Sequence, residues 1–435
     1  MRTFLTIWAG QLVSTVGSYM TVFALMIWAW DVTGSATSLA LVTFFSQVPR
    51  IAVTPLAGIV VDRFPRKHLI IVGDIVAMLS TLAIGLLYWA NQLQVWHLYG
   101  AVALHGCFGQ IQTLAYSTSI ALLVPQQDYA RAESMVAAVN YSGAIFSPIL
   151  AGSLYPLIGL RGIIAIDLTT FLIAFAILLG SHIPRPVAGD DVATASTINW
   201  SNLTFGCRYI LGKPGLIAMV VAFSLFAFPS DIGRALYNPM ILARSGGDAQ
   251  VLGAVTTAAG VGGVLGALLL SWKGGFERRI HGMLLGFAGT GFCKIILGLG
   301  QTAWVWIPAH FAATLMIPLY YSSSNAIWYA KVPPALQGRV LAADQMIGLI
   351  IGAIAPLLAG PLADFVFEPA MQPGGWLSTI FGTVLGTGTG AGIALLYTLM
   401  ALLMTLVGLS GYRFRTLRSV ETQLPDHFVN AKPSE

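Results

Sequence analysis

Residues 58–67 read Gly58-Ile59-Val60-Val61-Asp62-Arg63-Phe64-Pro65-Arg66-Lys67. A largely apolar run, 36–61, leads into this stretch and a second, 69–90, leaves it. A helix needs about 20 residues, at 1.5 Å of rise each, to cross a hydrocarbon core of roughly 30 Å. Both runs are long enough. The polypeptide therefore crosses lipid, surfaces for a few charged residues and crosses back.

The same alternation continues along the chain. Apolar runs near 4–30, 36–61, 69–90, 97–123, 132–158, 162–182, 215–243, 250–271, 281–300, 303–330, 338–366 and 387–411 predict twelve transmembrane helices, an all-α membrane protein. With 56% hydrophobic and 9% charged residues and a mean hydropathy of +0.78, little sequence remains for a soluble domain. The net charge of +5 does not point to nucleic acid, because the cations cluster between apolar runs and cover no single face. Cys107, Cys207 and Cys293 lie far apart without metal-ligand or redox spacing, so no metal site or disulfide is expected. The first run has no short core ending at a small-residue cleavage site and reads as an uncleaved anchor.

Alternate connections hold nearly all the cations: Arg63, Arg66 and Lys67; Arg131; Arg185, Arg208 and Lys213; Lys273, Arg278 and Arg279; Lys331 and Arg339. The tail adds Arg413, Arg415 and Arg418, whereas the opposite connections hold Arg161 and Arg244. Cytoplasmic loops carry the excess of Lys and Arg, which places both termini in the cytoplasm of a bacterial-type inner membrane. The longest polar stretch divides the chain into a six-helix half (1–183), a cytoplasmic linker (184–213), a second six-helix half (214–411) and a tail (412–435). Leu203, Tyr209, Ile210 and Leu211 suggest a short amphipathic linker helix lying on the membrane. Segment 367–386, with Pro369, Pro373, Gly374, Gly375 and Trp376, reads as an interfacial half-helix, a lid over the outer mouth, or a long loop with an aromatic anchor.

The pattern Gly58, Asp62, Arg63, Arg66, Lys67 resembles the loop 2-3 signature of the major facilitator superfamily. The resemblance implies a major facilitator fold of two six-helix pseudo-repeats, monomeric as is the family norm. It also implies that Asp62 meets the start of the helix near Gly338 and Arg339, stabilising the outward-open state. Gly143, Pro148 and Gly152 look like the antiporter motif of drug-export members, with Ser147 where that pattern has Gly. Leu123–Glu133 and Lys331–Val340 occupy equivalent loops of the two halves. Together with Asp167 they resemble the drug:proton antiporter branch that contains macrolide, siderophore and lysophospholipid exporters. The Arg of the family's R-x-x-x-G is missing; His105, Gly106, Gly109 and Gln110 stand there, so an Arg-based proton relay is not carried over.

Ionisable residues inside a membrane are costly and default to functional candidates. Arg50, about 18 Å up its helix from Asp62, and the i, i+3 pair Asp231 and Arg234 are the central ones. They serve either substrate and proton or a structural ion-pair network. Asp74 is expected to pair with Arg66 and Lys67, and Lys294 to snorkel towards the inner face. His105 and His310 titrate near neutrality when unperturbed but also serve as hydrogen-bonded structure. Tyr321, Asn325 and Trp328 fall at i, i+4, i+7. With Gln11, Tyr19, Gln110, Asn140, Tyr141 and Tyr237 they make an aromatic and polar cavity suited to a bulky amphiphile, or belt and packing residues. Gly262 and Gly266 are spaced for helix packing.

Phosphate-cradling and hydrolytic motifs are absent, which argues against an enzyme and against cofactors. The function implied is export of a medium-sized amphiphile by alternating access with proton antiport. A lysophospholipid flippase of the same fold, a non-transporting receptor or assembly subunit, and an uptake symporter are the alternatives.

Overall fold

The structure is a computed structural model that describes residues 2–125, 128–181 and 200–423. Long helices dominate: α1 Arg2–Thr33, α2 Ala36–Arg63, α3 Arg66–Trp89, α4 Val95–Leu123 and α5 Tyr129–Gly180 precede the linker. The short α6 Trp200–Leu211 introduces α7 Pro214–Ser245, α8 Ala249–Lys273, α9 Arg279–Leu299, α10 Ala303–Leu315, α11 Ile317–Lys331 and α12 Pro334–Pro361. A π-helical turn, Leu362–Phe367, extends α12 into α13 Glu368–Met371; α14 Ser378–Leu385, α15 Ala391–Gly411, α16 Arg415–Arg418 and α17 Val420–Gln423 follow.

Among the described residues, ten helices are long and apolar enough to cross a membrane. The difference from twelve has two causes. Helix α4 misses the apolar threshold because His97, His105, Gln110 and Gln112 dilute it. The 52-residue α5 is two spans: Gly159, at φ 62° and ψ −173°, breaks it in a region open essentially to glycine alone. Packing on α1 proves the reversal. Met135 lies beside Trp8 and Ser147 beside Val16, so the first part runs with α1; Asp167 lies beside Ser18 and Ile177 beside Gly10, so the second runs against it.

The helix ends near α6 are called here the linker end and the opposite ends the far end. Local chemistry sets the corners. Ser35 caps α2, Asp248 caps α8 through the amides of Gln250 and Val251 (2.8 and 3.1 Å), and Gly246 ends α7 in the left-handed region. Segment 367–386 forms α13 and α14, with Trp376 exposed. Helix α6 forms where the sequence suggested and packs on α12: Gly206 sits against the Arg339 carbonyl and the Arg339 guanidinium lies 5.6 Å from the Phe205 ring centre. Gly262 and Gly266 rest on the α10 backbone at Phe311 and Leu315.

Helices α1–α5 and helices α7–α15 meet through α5 against α8 and α2 against α12. Gly152 abuts Ala249, Gly253 abuts Pro148, and Thr257 Oγ1 donates to the Ile145 carbonyl at 3.0 Å. Thr37 packs on Gly360. All of these lie in the far half of the bundle. From Gly260, which still touches Ile145, α8 runs a further 20 Å or so to the linker end. At that end Gly338 has no neighbour within 4 Å of where a Cβ would stand. Among the described residues the two sets thus close on each other at the far end, with a wedge between them towards the linker end.

Candidate functional site

Helix α7 supplies the centre of the site. Pro229 has no amide proton, so the Leu225 carbonyl loses its helical partner one turn earlier. The stretch after Pro229 carries Ser230, Asp231 and Arg234. Asp231 Oδ1 lies 3.0 Å from Arg234 Nη2, the geometry expected of an i, i+3 pair. The Arg234 side chain is half exposed, whereas only 21% of Asp231 is accessible. Lys294 of α9 does not snorkel to an end of the bundle. Its ammonium donates to Ser230 Oγ at 3.3 Å and lies close enough to interact with Asp231. A carboxylate on the neighbouring helix is the nearer partner, since Lys294 stands about 22 Å along α9 from its linker end, more than the side chain can reach. Gly352 of α12 closes the other side: a Cβ there would stand 3.5 Å from Asp231 Oδ2 and 3.8 Å from Arg234 Nη2.

An aromatic wall adjoins the pair. Phe226 stacks on Phe287 with ring centres 3.8 Å apart, and Tyr320 and Tyr321 follow at 4.7 Å from each other. Tyr321 and Asn325 are exposed, but Trp328 is 2% accessible and packs in the core with Ile327 and Val332. The expected stripe of three is therefore broken. The i+7 position turns away far enough for the large indole to fill the contact with neighbouring helices. Tyr237 bonds hydroxyl to hydroxyl with Thr256, and its ring lies tilted against that of His310 with centres 4.7 Å apart, joining α7 to α8 and α10.

A second cluster forms before the linker. Arg50 Nε donates to Gln110 Oε1 at 2.8 Å, tying α2 to α4, and Gly106 lets the Ser46 backbone come close. His105 is exposed on the same part of α4. Tyr19 lies over Gly143 on α5, Tyr141 is 53% exposed, and Gln11 approaches Asp74. Of the helix-five residues, Gly143 faces α1, while the Pro148 carbonyl and Gly152 face α8. The side chains of Gly58, Asp62 and Asn140 lie outside the described ones; Arg63, the last residue of α2, is exposed.

Asp74 does not pair with Arg66 and Lys67. It is buried and accepts from Gln112 Nε2 at 2.6 Å. Arg66 instead donates to the Thr118 carbonyl at 2.6 Å, and Lys67 to those of Leu179 and Ser181 at 3.0 and 2.6 Å. The Leu179 and Ser181 carbonyls close the last turn of α5, where the helix dipole favours a cation. Two helical turns, about 10 Å, separate Lys67 from Asp74, and the nearer acceptors win. Asp167 is buried and accepts from Ser18 at 3.1 Å and Thr81 at 3.4 Å.

Sequence reasoning passed over Asp344. It lies within an apolar span of α12, and no described residue makes a hydrogen bond or ion pair with it. Asp344, Gly348 and Gly352 are spaced i, i+4, i+8 and share the face that reaches Asp231. A carboxylate six residues inside the run 338–366, the other being Asp364 near its end, was the available signal.

Residues 7–356 match the Major Facilitator Superfamily. The chain belongs to that superfamily. It is 24% identical over 363 residues to macrolide efflux protein A of Streptococcus pyogenes, across 83% of this chain and 89% of that protein. To the multidrug efflux pump Tap of Mycolicibacterium fortuitum it is 23% identical over 354 residues, 76% of this chain and 82% of the pump. A bacterial homologue of the iron transporter ferroportin, inward-facing, aligns with TM-score 0.66 at 13% identity over 94% of this chain and 98% of that one. A bacterial homologue of the lysosomal transporter Spinster, inward-facing and unoccupied, aligns with TM-score 0.63 at 15% identity over 96% and 95%. At these identities the solved structures establish a shared fold. The chain is a multi-pass membrane protein of a transporter family.

Proposed function

We propose that this superfamily member exports a medium-sized amphiphilic compound by alternating access, in exchange for protons. The observation that carries the reading is Asp231, a membrane-embedded carboxylate set between Arg234 and Lys294 beside an aromatic wall. Efflux is what its macrolide and multidrug relatives are named for. The charge distribution supports a cytoplasmic linker end, because Arg161 and Arg244 stand at the far end. There Arg161 lies over the Tyr88 ring, 5.7 Å from its centre, and Arg244 binds the Gly298 and Gly300 carbonyls. On that orientation the wedge opens to the cytoplasm, the side from which an exporter loads.

In this reading residues 1–183 and 214–411 are two rocking halves. Substrate enters the wedge with its apolar body against Tyr321, which Tyr320 backs from the core. Its polar group binds the ionised Asp231–Arg234 pair, and a proton on Asp231 neutralises the carboxylate and frees the half-exposed Arg234 to turn away, so substrate and proton occupy the site in turn. Arg50 and Gln110 offer polar contacts from the opposite half.

A crevice of about 390 Å³ between α7, α12 and α15, lined by Leu225, Phe228, Ile351, Leu403 and Val407, favours a second reading, a lysophospholipid flippase with a side entrance. The test is proton flux in sealed proteoliposomes under an imposed pH gradient, challenged with macrolides, siderophores and lysolipids. Wild type should show substrate-dependent proton movement that Asp231→Asn abolishes. Loss in Asp344→Asn, with Asp231→Asn still active, would move the proton site to α12. Gradient-independent lysolipid movement that survives both substitutions would establish the flippase.

A further inference from the structure

At the far end, one carboxylate spans the boundary between the two helix sets. Asp364, in the π-helical turn that extends α12, accepts from Ser35 Oγ at 2.6 Å, from the Ala36 amide at 3.0 Å and from the Thr37 amide at 2.8 Å. Ser35 is the N-cap of α2 and the two amides belong to its first turn, so Asp364 occupies the positive end of a helix in the opposite set. The geometry points to Asp364 as the positioning residue that holds the far end shut, a latch whose release is required for substrate to leave on that side.

Three features argue for a latch over ordinary packing. First, the backbone is shaped for it. Pro361 withholds an amide proton just before Asp364, and the helix widens into a π turn; such turns recur at functional positions because they re-aim a side chain. Second, the contact is close. Gly360, one turn earlier, lies so near Thr37 that a Cβ would stand 2.4 Å from the Thr37 Cα. Third, the chemistry is reversible. Ser35 and Asp364 are half-buried at the membrane surface, so when the helices part water replaces each partner and neither set is left with orphaned groups. Among the described residues the other cross-set bonds, Thr257 to the Ile145 carbonyl and Asn238 to Met26 Sδ, have neutral acceptors.

A second carboxylate one turn further on provides a control. Glu368 accepts from the amides of Gly390, Gly392 and Ile393 at 2.5, 3.0 and 3.2 Å, capping α15. Glu368 and α15 belong to the same set, so this cap should contribute to stability without sensing whether the far end is open.

The latch rests on the alternating-access reading, and its test needs no substrate, so failure here leaves the export assay independent. Cys107, Cys207 and Cys293 are replaced, and spin labels are attached through Val32→Cys and Trp376→Cys, both exposed at the far end of opposite sets. Double electron–electron resonance then measures their separation in lipid nanodiscs. Asp364→Ala should raise the long-distance population at least fivefold, Asp364→Asn less, and Glu368→Gln should lower the melting temperature without moving the distribution. If Asp364→Ala does not survive extraction, Asp364→Asn combined with Ser35→Ala makes the same comparison. An unchanged distribution in a folded Asp364 variant, or an equal shift in Glu368→Gln, would overturn the latch.

Discussion

Adding a methyl group at Gly253 tests how the far end closes. The new Cβ would stand 2.5 Å from the Pro148 carbonyl oxygen and 3.3 Å from its carbonyl carbon. On the facing helix, a Cβ at Gly152 would stand 2.6 Å from the Ala249 carbonyl oxygen. Non-bonded carbon contacts settle near 3.5 Å, so α5 and α8 would have to separate by roughly 0.7–1 Å. Both obstacles are backbone, and no rotamer change relieves them. Overpacking of this size costs about 1–3 kcal/mol. Only the conformation with α5 and α8 in contact at the far end bears that cost. The equilibrium should therefore move about 5- to 150-fold towards the conformation that opens this end. Spin labels on Phe64→Cys and Trp272→Cys, exposed at the linker ends of α2 and α8, report the complementary motion. Gly253→Ala should increase the short-distance population at the linker end, and Gly253→Leu should increase it further. Unchanged distances in a folded Gly253→Leu protein would refute the rocking geometry and reduce Gly143, Pro148 and Gly152 to packing residues.

Trp328→Ala should cost about 3–5 kcal/mol and show as a large drop in melting temperature; altered substrate preference at unchanged melting would return Trp328 to the binding surface. Gly159→Ala forces a side chain into a region essentially closed to it, at about 1–3 kcal/mol, and fluorescence-detected size exclusion should show reduced folded yield. Phe205→Ala removes a cation–π contact worth about 0.5–1 kcal/mol, so amide exchange in α6 should accelerate while α7 stays protected.

Periodic and compositional features were legible. Apolar runs of sufficient length can do little except span lipid, and polar intervals fix where they turn, so the helices, the linker helix α6 and the corner at residues 58–67 follow from local sequence. Side-chain partnership was less legible, because it depends on contacts between residues far apart in the chain. Asp74 and Lys67 are close in sequence, yet Lys67 chose carbonyls near residue 180, which only the docking of α3 on α5 brings within reach. Lys294 was read by its own helix alone, and its partner Ser230 belongs to α7. The i, i+3 pairing of Asp231 with Arg234 succeeded as a reading because both groups lie on one helix.

The same distinction separates the two carboxylates at the ends of α2 and α12. Asp62 drew notice because it stands in a local pattern with Arg63, Arg66 and Lys67. Asp364 did not, since its donors lie 327 to 329 residues away. Yet the two are related by topology. Helix α2 runs from the far end to the linker end and α12 runs back, so the C-terminal reach of each helix lies beside the N-terminus of the other. A carboxylate near the end of α12 meets the first turn of α2, as Asp364 does; a carboxylate near the end of α2 is placed to do the same for the first turn of α12. The sequence resemblance assigns Asp62 that role. Helix dipoles then offer each acid one anionic site, at opposite ends of the molecule. In the alternating-access reading the wedge closes at one end only by opening at the other, and the two contacts would then compete. Asp62→Asn should therefore lengthen the Phe64–Trp272 distances that Asp364→Ala shortens, and the double variant should return the distribution towards wild type.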